Sequence, residues 1–179
     1  MLPRLVELLP LDDLPRTGWI LAGIGQPESV AGHTLGVALV ALALVERVEP
    51  ALDAARVLAM SLVHDLSEAA SGDLPKRASR LLPEGAKAEL ERRLGEQLVE
   101  PLSHRAAAAW REYRSRETRE ARFTADCDAL ALGVRLVGYR RAGHACPGDF
   151  DSAVRASERS EFAPVRALGA EILAALGVE

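Results

Sequence analysis

The sequence contains few cysteines and few aromatic residues. Cys127 and Cys146 are the two cysteines among 179 residues, and neither lies in a spacing typical of metal binding. Such a pair does not make a disulfide framework, so we expect two reduced thiols. Aromatic residues make up 4% of the chain, and each Trp or Tyr is therefore expected to have a specific structural or functional role.

The sequence also lacks an excess of positive charge. Its 22 Lys and Arg residues are outnumbered by 26 Asp and Glu residues, which gives a net charge of −4. This balance argues against a nucleic-acid-binding protein, because such proteins depend on a basic surface. We therefore expect no nucleic-acid partner.

Signals for membrane insertion or export are missing as well. The N-terminal sequence MLPRLVELLPLDDL has neither the basic start nor the clean apolar stretch of a signal peptide. The longest apolar run, residues 35–45, is shorter than a membrane span and has the right size for a buried helix. We expect a cytoplasmic protein with no membrane partner.

The alternation of polar and apolar residues that is typical of a half-buried β-strand does not extend over a convincing length. Instead, 49% of the residues are apolar, with Ala, Leu and Val dominant, and this composition favours helices. We therefore predict an all-α protein, a single domain over residues 1–179 with a bundle of about five to seven helices. The predicted helices are 2–14, 30–48, 50–72, 86–102, two within 104–142, and 152–177.

Capping and helix-breaking residues set the limits of these helices. Ser29 is expected to cap the central helix, because its hydroxyl can accept a bond from a free N–H of the first turn. Residues 15–29, rich in Pro and Gly, are predicted to form a structured loop. The break within 104–142 is expected near 115–118, and Pro164 is expected to kink or break the last helix.

One apolar segment ends in a histidine and three acidic residues, in the sequence SLVHDLSEAASGDLP (61–75). Burying such groups is costly unless something compensates them. On a helix that continues to Gly72, Glu68 would share a face with His64 and Asp65, because residues three and four apart are neighbours. A divalent cation at that face would compensate the carboxylate and hold the imidazole neutral, so the segment predicts a metal site.

Two further polar residues lie at the edges of apolar helices. His33 is in the first turn of the central helix, and Asp128 is in a later apolar helix. A packed bundle can bring both to the same point as His64 and Asp65. Two imidazoles and two carboxylates suit Mn, Co, Fe, Ni or Zn better than Ca or Mg, and such an ion can activate water for hydrolysis.

The order of these residues resembles the HD-domain superfamily of metal-dependent phosphohydrolases. Beyond the adjacent His-Asp pair, longer motifs are similar to the 5′-deoxynucleotidase branch of that superfamily. These motifs are PRTGW (15–19), PESVAGH (27–33), HDLSEAASGDLP (64–75), WREY (110–113) and DAL (128–130). The resemblance covers about residues 3–142 and leaves the helical tail 152–177 without a motif.

The resemblance implies an enzyme that releases phosphate from (deoxy)nucleoside 5′-monophosphates and works as a homodimer. It implies one divalent ion, often manganese or cobalt. The ligands implied for that ion are His33, His64, Asp65 and Asp128.

The resemblance also implies roles for four residues beside the ion. Glu68 would assist the hydrolytic water, and Asp73 would lie near that water or the leaving 5′ oxygen. Arg16 would hold the phosphate, and Trp19 would pack on the sugar. Here two residues separate Arg16 from Trp19, as in the eukaryotic-like branch.

Alternatives remain open for individual residues and for the function. Trp19 can instead fill the core beneath its loop, and Asp73 can cap the next helical turn. A second enzyme class is another HD phosphohydrolase acting on small phosphate esters or alarmones, although alarmone hydrolases carry a Glu-Asp pair where this chain has Glu68 and Ala69. A third possibility is a non-catalytic nucleotide-binding module.

Overall fold

The computed structural model describes residues 1–146 and 150–178, and these residues form helices with no β-strand among them. The all-α prediction is confirmed. The helices are α1 (Leu2–Val6), α2 (Pro10–Asp13), α3 (Thr17–Leu21), α4 (Val30–Leu44), α5 (Ala54–Val63), α6 (Glu68–Ser71), α7 (Lys76–Ser79), α8 (Ala86–Leu98), α9 (His104–Ser115), α10 (Arg119–Arg141), α11 (Phe150–Arg155) and α12 (Ala163–Leu176). Helices α4, α5, α8, α9, α10 and α12 are the long ones and form the bundle.

Helix α4 is the central helix that its apolar sequence predicts. Ser29 caps it, since the Ser29 hydroxyl accepts a hydrogen bond from the Gly32 amide at 3.0 Å. The helix packs against α5 and α10, and Val37 and Ala41 are fully buried there. By length and composition alone, Val30–Arg47 resembles a membrane span, but core helices of soluble proteins share these properties. We interpret it as a core helix.

Helix α10 is 23 residues long and links the two parts of the core. On one side it packs against α4, α11 and α12, where Phe123, Leu130 and Leu136 are buried. On the other side it contacts α5 and α9, around a second cluster that includes Met60 and Trp110. Helix α10, which carries Asp128, therefore packs against both α4, which carries His33, and α5, which His64 directly follows.

The prediction of a single helix over 50–72 is wrong. Helix α5 starts at Ala54, is capped by the Asp53 carboxylate, and ends at Val63. Residues 64–67 form turns, in which the Glu68 amide donates to the Asp65 carbonyl at 2.9 Å. The apolar stretch that drives α5 ends at Val63, and the polar residues that follow find partners on other elements. The short α6 then ends at the left-handed Gly72.

Two N-terminal predictions also need correction. Residues 2–14 form two short helices, α1 and α2, and Pro10 begins the second of them. Proline is tolerated in a first turn because its missing N–H would have no partner there. The predicted loop 15–29 contains the short helix α3, whose first residue is Thr17.

The breaks predicted in the C-terminal half are confirmed. Helices α9 and α10 separate at residues 116–118, and the Thr118 hydroxyl caps α10 by accepting from the Ala121 amide at 3.1 Å. Pro164 lies in the first turn of α12 and so marks a break rather than a kink. The predicted loop 143–151 falls partly outside the described residues.

The close contact between α8 and α9 predicts a strong effect of one added methyl group. A Cβ at Gly95 would overlap the Trp110 ring, which is itself buried. We expect Gly95→Ala to lower the free energy of unfolding by about 1–3 kcal/mol, measured by urea denaturation. Gly138→Ala on α10, where nothing lies within 4 Å of the added Cβ, should be neutral or stabilising. Equal effects of the two substitutions would contradict this packing.

Candidate metal centre

Two buried imidazoles face each other across the packed helices. His33 lies in the first turn of α4 and His64 directly follows α5, and their ring centroids are 5.7 Å apart. The His64 Nδ1 lies 2.8 Å from the Ser61 carbonyl oxygen, one turn earlier. A carbonyl can only accept, so Nδ1 keeps a proton, and Nε2 is the nitrogen that can bind a metal ion once its own proton is lost.

Two carboxylates complete the group of predicted ligands. The Asp65 Oδ2 lies 3.1 Å from the His64 Nε2, and the Asp128 Oδ1 lies 2.9 Å from the His33 Nε2. One ligand atom from each of His33, His64 and Asp65 lies within 4.8 Å of the others. The fold thus brings together four residues that come from α4, from the end of α5 and from α10.

Three buried polar atoms at this point have no hydrogen-bond partner among the described residues: His33 Nδ1, His64 Nε2 and Glu68 Oε2. An unsatisfied buried polar atom costs roughly 1–3 kcal/mol. The His64 Nε2 lies close to the Asp65 Oδ2, but the two atoms are not aligned for a hydrogen bond. Two atoms that bind the same cation are expected to lie in this way. The chemistry of the donor set therefore fits a divalent transition metal ion.

The electrostatics of the site also favour a cation. Burial, reinforced by the Asp65 and Asp73 carboxylates, raises the pKa of Glu68 to about 9. Burial lowers the pKa of His64, but the Asp65 and Asp128 carboxylates and the bond to the Ser61 carbonyl together outweigh it and bring that pKa to about 9. Protons on Glu68 and His64 thus offset the negative charge of the carboxylates. A bound cation would neutralise that charge in their place.

The loop before α3 contributes a positive charge. The Arg16 Nη1 lies 3.4 Å from both the Asp65 Oδ2 and the Asp73 Oδ1. The Asp73 carboxylate also accepts a hydrogen bond from the Thr17 amide. The Asp73 backbone oxygen accepts a second one, from the Thr17 hydroxyl at 2.8 Å. Asp73 therefore anchors the start of α3 and does not cap α7, which has no side-chain cap.

Trp19 lies deeper than a simple surface contact with a sugar would place it. Its side chain is 1% exposed and stacks on Phe150 with 4.2 Å between ring centroids. Its Nε1 donates to the Glu28 carboxylate at 2.9 Å. This placement favours the alternative in which Trp19 fills the core. Trp19 also lines a cavity of about 690 Å³ beside the site, and the nucleotide contact stays a prediction.

Sequence reasoning missed Glu28. Its carboxylate accepts hydrogen bonds from Trp19 and from the Arg135 Nε at 2.7 Å, and it lies 4.0 Å from the His33 Nδ1. Its amide donates to the Tyr139 hydroxyl at 2.7 Å. The available signal was its place in PESVAGH, five residues before His33, but its partners on α10 are visible only in the folded chain.

Tyr113, in the WREY motif, contacts one of the predicted metal ligands. Its hydroxyl donates to the Asp128 Oδ2 at 3.1 Å. Burial, with the Asp128 charge adding to it, raises the pKa of this phenol, so the hydroxyl keeps the proton that it donates. The partner Asp128 is on the next helix, which explains why the motif alone did not reveal the contact.

Two cavities, of about 690 and 350 Å³, open onto the site. Asp65, Glu68 and Asp128 line both of them, which leaves the Asp128 side chain 34% exposed. The cations of the larger cavity are Arg16, Lys76, Arg77, Arg80 and Lys87. Its volume lies in the range of small-molecule sites, and its charge suits an anionic ligand.

Comparison with known proteins identifies similar chains. The HD-domain family profile matches residues 11–162. The 5′-deoxynucleotidase hdd1 of Schizosaccharomyces pombe is 30% identical over 148 residues, which cover 79% of this chain and 73% of that protein. The 5′-deoxynucleotidase HDDC2 of Homo sapiens is 28% identical over 140 residues, which cover 75% of this chain and 65% of that protein, just under two thirds of its length.

Two solved structures share the fold over nearly the whole chain. A conserved hypothetical protein from Pyrococcus furiosus superposes with a TM-score of 0.84 at 27% identity, covering 96% of this chain and 98% of that one. A predicted metal-dependent phosphohydrolase from Magnetospirillum magnetotacticum superposes with a TM-score of 0.68 at 27% identity, covering 98% and 89%.

The protons at the site predict that metal binding depends on pH. An ion that binds here must displace protons from His64 and Glu68, because both pKa values are raised to about 9. We expect Mn²⁺ to bind more tightly as the pH rises towards about 9, with proton release measured by calorimetry in buffers of different ionisation enthalpy.

A matched pair of histidine variants tests the location of this site. His64→Ala should lose Mn²⁺ binding, whereas His104→Ala, on the exposed surface of α9, should keep it. Binding that is independent of pH, or that survives in His64→Ala, would contradict the assignment.

Proposed function

Since the chain belongs to the HD-domain family, we propose that it is a metal-dependent phosphohydrolase that releases phosphate from (deoxy)nucleoside 5′-monophosphates. The observation that carries this proposal is the His64 Nε2, which has no hydrogen-bond partner among the described residues and lies 3.1 Å from the carboxylate of Asp65, a residue that lines the cation-rich larger cavity. Relatives named 5′-deoxynucleotidase support the choice of substrate.

We propose that His33, His64, Asp65 and Asp128 hold one divalent transition metal ion. The two imidazoles and two carboxylates suit manganese or cobalt, and iron, nickel and zinc also accept such ligands. When bound, the ion supplies positive charge beside the phosphate and lowers the pKa of a water molecule.

Arg16 is the residue that we propose to hold the substrate phosphate. Its guanidinium is fixed between Asp65 and Asp73 and borders the larger cavity. Lys76 and Arg77 line the same cavity and extend the positive surface. A preorganised guanidinium beside the phosphorus stabilises the charge that develops on the phosphoryl oxygens during hydrolysis.

Glu68 is proposed to accept a proton from the attacking water or to orient that water. Its Oε2 is buried with no hydrogen-bond partner in the described part of the chain, and Glu68 lines both cavities. A neighbouring cation would favour the ionised carboxylate, which can then act as a base. Asp73 borders the same cavity as Glu68, and we propose that it lies near the departing 5′ oxygen. Trp19 is proposed to border the sugar.

A second copy of the chain is the partner that we propose besides the small phosphorylated substrate. Leu35, Leu39 and Leu42 follow each other at helical spacing on α4, and they are 59%, 56% and 51% exposed. An apolar stripe on the central helix is costly in water and is typical of a surface that another protein covers. A homodimer through this stripe would bury it.

We further propose that the chain forms one domain and resides in the cytoplasm. Ile172 and Leu173 of α12 pack in the same core cluster as Val37 of α4, so the C-terminal tail shares the core of the motif-bearing part. Cys127 and Cys146 are free thiols, which suits a reducing compartment.

A panel of nucleoside monophosphates, an alarmone and another small phosphate ester, each with Mn²⁺, Co²⁺ or Mg²⁺, tests the proposed reaction. We expect metal-dependent phosphate release that a chelator abolishes. Glu68→Gln should lower kcat by about 100-fold or more while Mn²⁺ still binds, because a positioned general base contributes about that much. Glu46→Gln, on the exposed surface, is the matched control.

Three outcomes of this panel would contradict the proposal. Bound Mn²⁺ without turnover of any monophosphate would indicate a non-catalytic module. Turnover of an alarmone or another phosphate ester alone would indicate a different HD phosphohydrolase. Full activity of Glu68→Gln would remove that residue from the mechanism.

The proposed dimer predicts a specific effect of a charge on α4. We expect Leu39→Glu to shift the protein from dimer to monomer in light scattering coupled to gel filtration, because a carboxylate in the apolar stripe would be buried unpaired. Leu81→Glu, at a residue that is 86% exposed and outside the stripe, should remain dimeric. A monomeric wild-type protein, or dissociation caused equally by both substitutions, would contradict this interface.

A further inference from the structure

We propose that Tyr113 is a positioning residue of the metal centre, which holds Asp128 so that a single carboxylate oxygen is offered to the ion. The inference rests on the metal site proposed above. It concerns a residue of α9, a helix that carries none of the four proposed ligands.

The two oxygens of Asp128 have different partners. Oδ1 lies 2.9 Å from the His33 Nε2, on the side of the proposed ligands. Oδ2 accepts the hydrogen bond from the Tyr113 hydroxyl at 3.1 Å. The phenol occupies one lone pair of Oδ2 and orients the carboxylate, so that Oδ1 is the oxygen directed towards the proposed ligands. The tyrosine therefore determines which oxygen is available.

The Tyr113 ring is itself held on several sides. It is 7% exposed and belongs to the core cluster that α5 and α9 form with Met60 and Trp110. Its edge contacts the His64 imidazole, with 5.4 Å between ring centroids. One aromatic side chain thus touches two proposed ligands, His64 through its ring and Asp128 through its hydroxyl.

Arg116 covers the remaining face of the ring. Its guanidinium carbon lies 3.6 Å from the Tyr113 ring centroid, within the range of a cation–π interaction. Arg116 ends α9 in a left-handed conformation, with φ of 56°, which non-glycine residues rarely adopt. Arg116 and Tyr113 both line the smaller cavity, so this stacked pair forms part of the wall beside the metal centre.

Tyr113→Phe tests the hydroxyl while it keeps the packed ring. We expect Mn²⁺ affinity, measured by calorimetry on metal-free protein, to fall by about 10- to 100-fold, as is usual when a group that orients a ligand is lost. The visible absorption of the Co²⁺ form should change, because a released Asp128 can offer both oxygens. At saturating metal, the KM for a nucleoside monophosphate should stay within about twofold of the wild-type value.

Tyr139→Phe is the matched control, since it also removes one hydroxyl. That hydroxyl accepts a hydrogen bond from the Glu28 amide and contacts none of the proposed metal ligands. It should keep the Mn²⁺ affinity and the Co²⁺ spectrum of the wild-type protein. Unchanged affinity and spectrum in Tyr113→Phe would overturn the proposal, and so would equal losses in both variants.

The same measurements separate this inference from the proposed function. Wild-type protein that binds Mn²⁺ but hydrolyses no monophosphate would refute the proposed function. The Mn²⁺ affinity of Tyr113→Phe would then still decide the role of Tyr113. Wild-type protein that binds neither Mn²⁺ nor Co²⁺ would overturn both.

Discussion

The crowding of carboxylates around two buried imidazoles is the constraint on which the rest of this structure depends. Asp65, Glu68 and Asp73 lie close enough for burial and mutual repulsion to raise the pKa of Glu68 to about 9. Arg16 offsets part of that charge, and the protonated groups offset more. A divalent cation would remove the remaining penalty, and for this reason the arrangement fits the proposed metal centre.

Two of the polar residues at this point lie on helices that pack in the core. His33 stands on α4, whose surroundings are buried on several sides, and Asp128 stands on α10 between the buried Cys127 and Leu130. Burial of these apolar neighbours is favourable at roughly 25 cal/mol per Å² and carries the polar groups inward with it. The packing of the helices therefore offsets the free-energy cost of burying the polar groups of the site.

Much of the fold and part of the site could be predicted from local patterns. The spacing of apolar residues indicated the long helices, and Ser29 was readable as a cap because capping acts over three residues. The predicted helix through residues 64–72 was wrong, yet Asp65 and Glu68 still converge with His64, since short turns place them there. The sequence left two alternatives for Trp19, a contact with the sugar or a place in the core, and only the packing shows that its ring is buried.

The sequence by itself determined which segments are helical, where they are capped and which polar residues interrupt apolar faces, because these properties depend on neighbours within one or two turns. Only the tertiary structure decided that His33 meets Asp128, that Glu28 reaches α10 and that the Tyr113 hydroxyl takes one oxygen of Asp128. These contacts join residues on different elements, and their distances follow from how side chains interlock between packed helices. No local pattern carries that information.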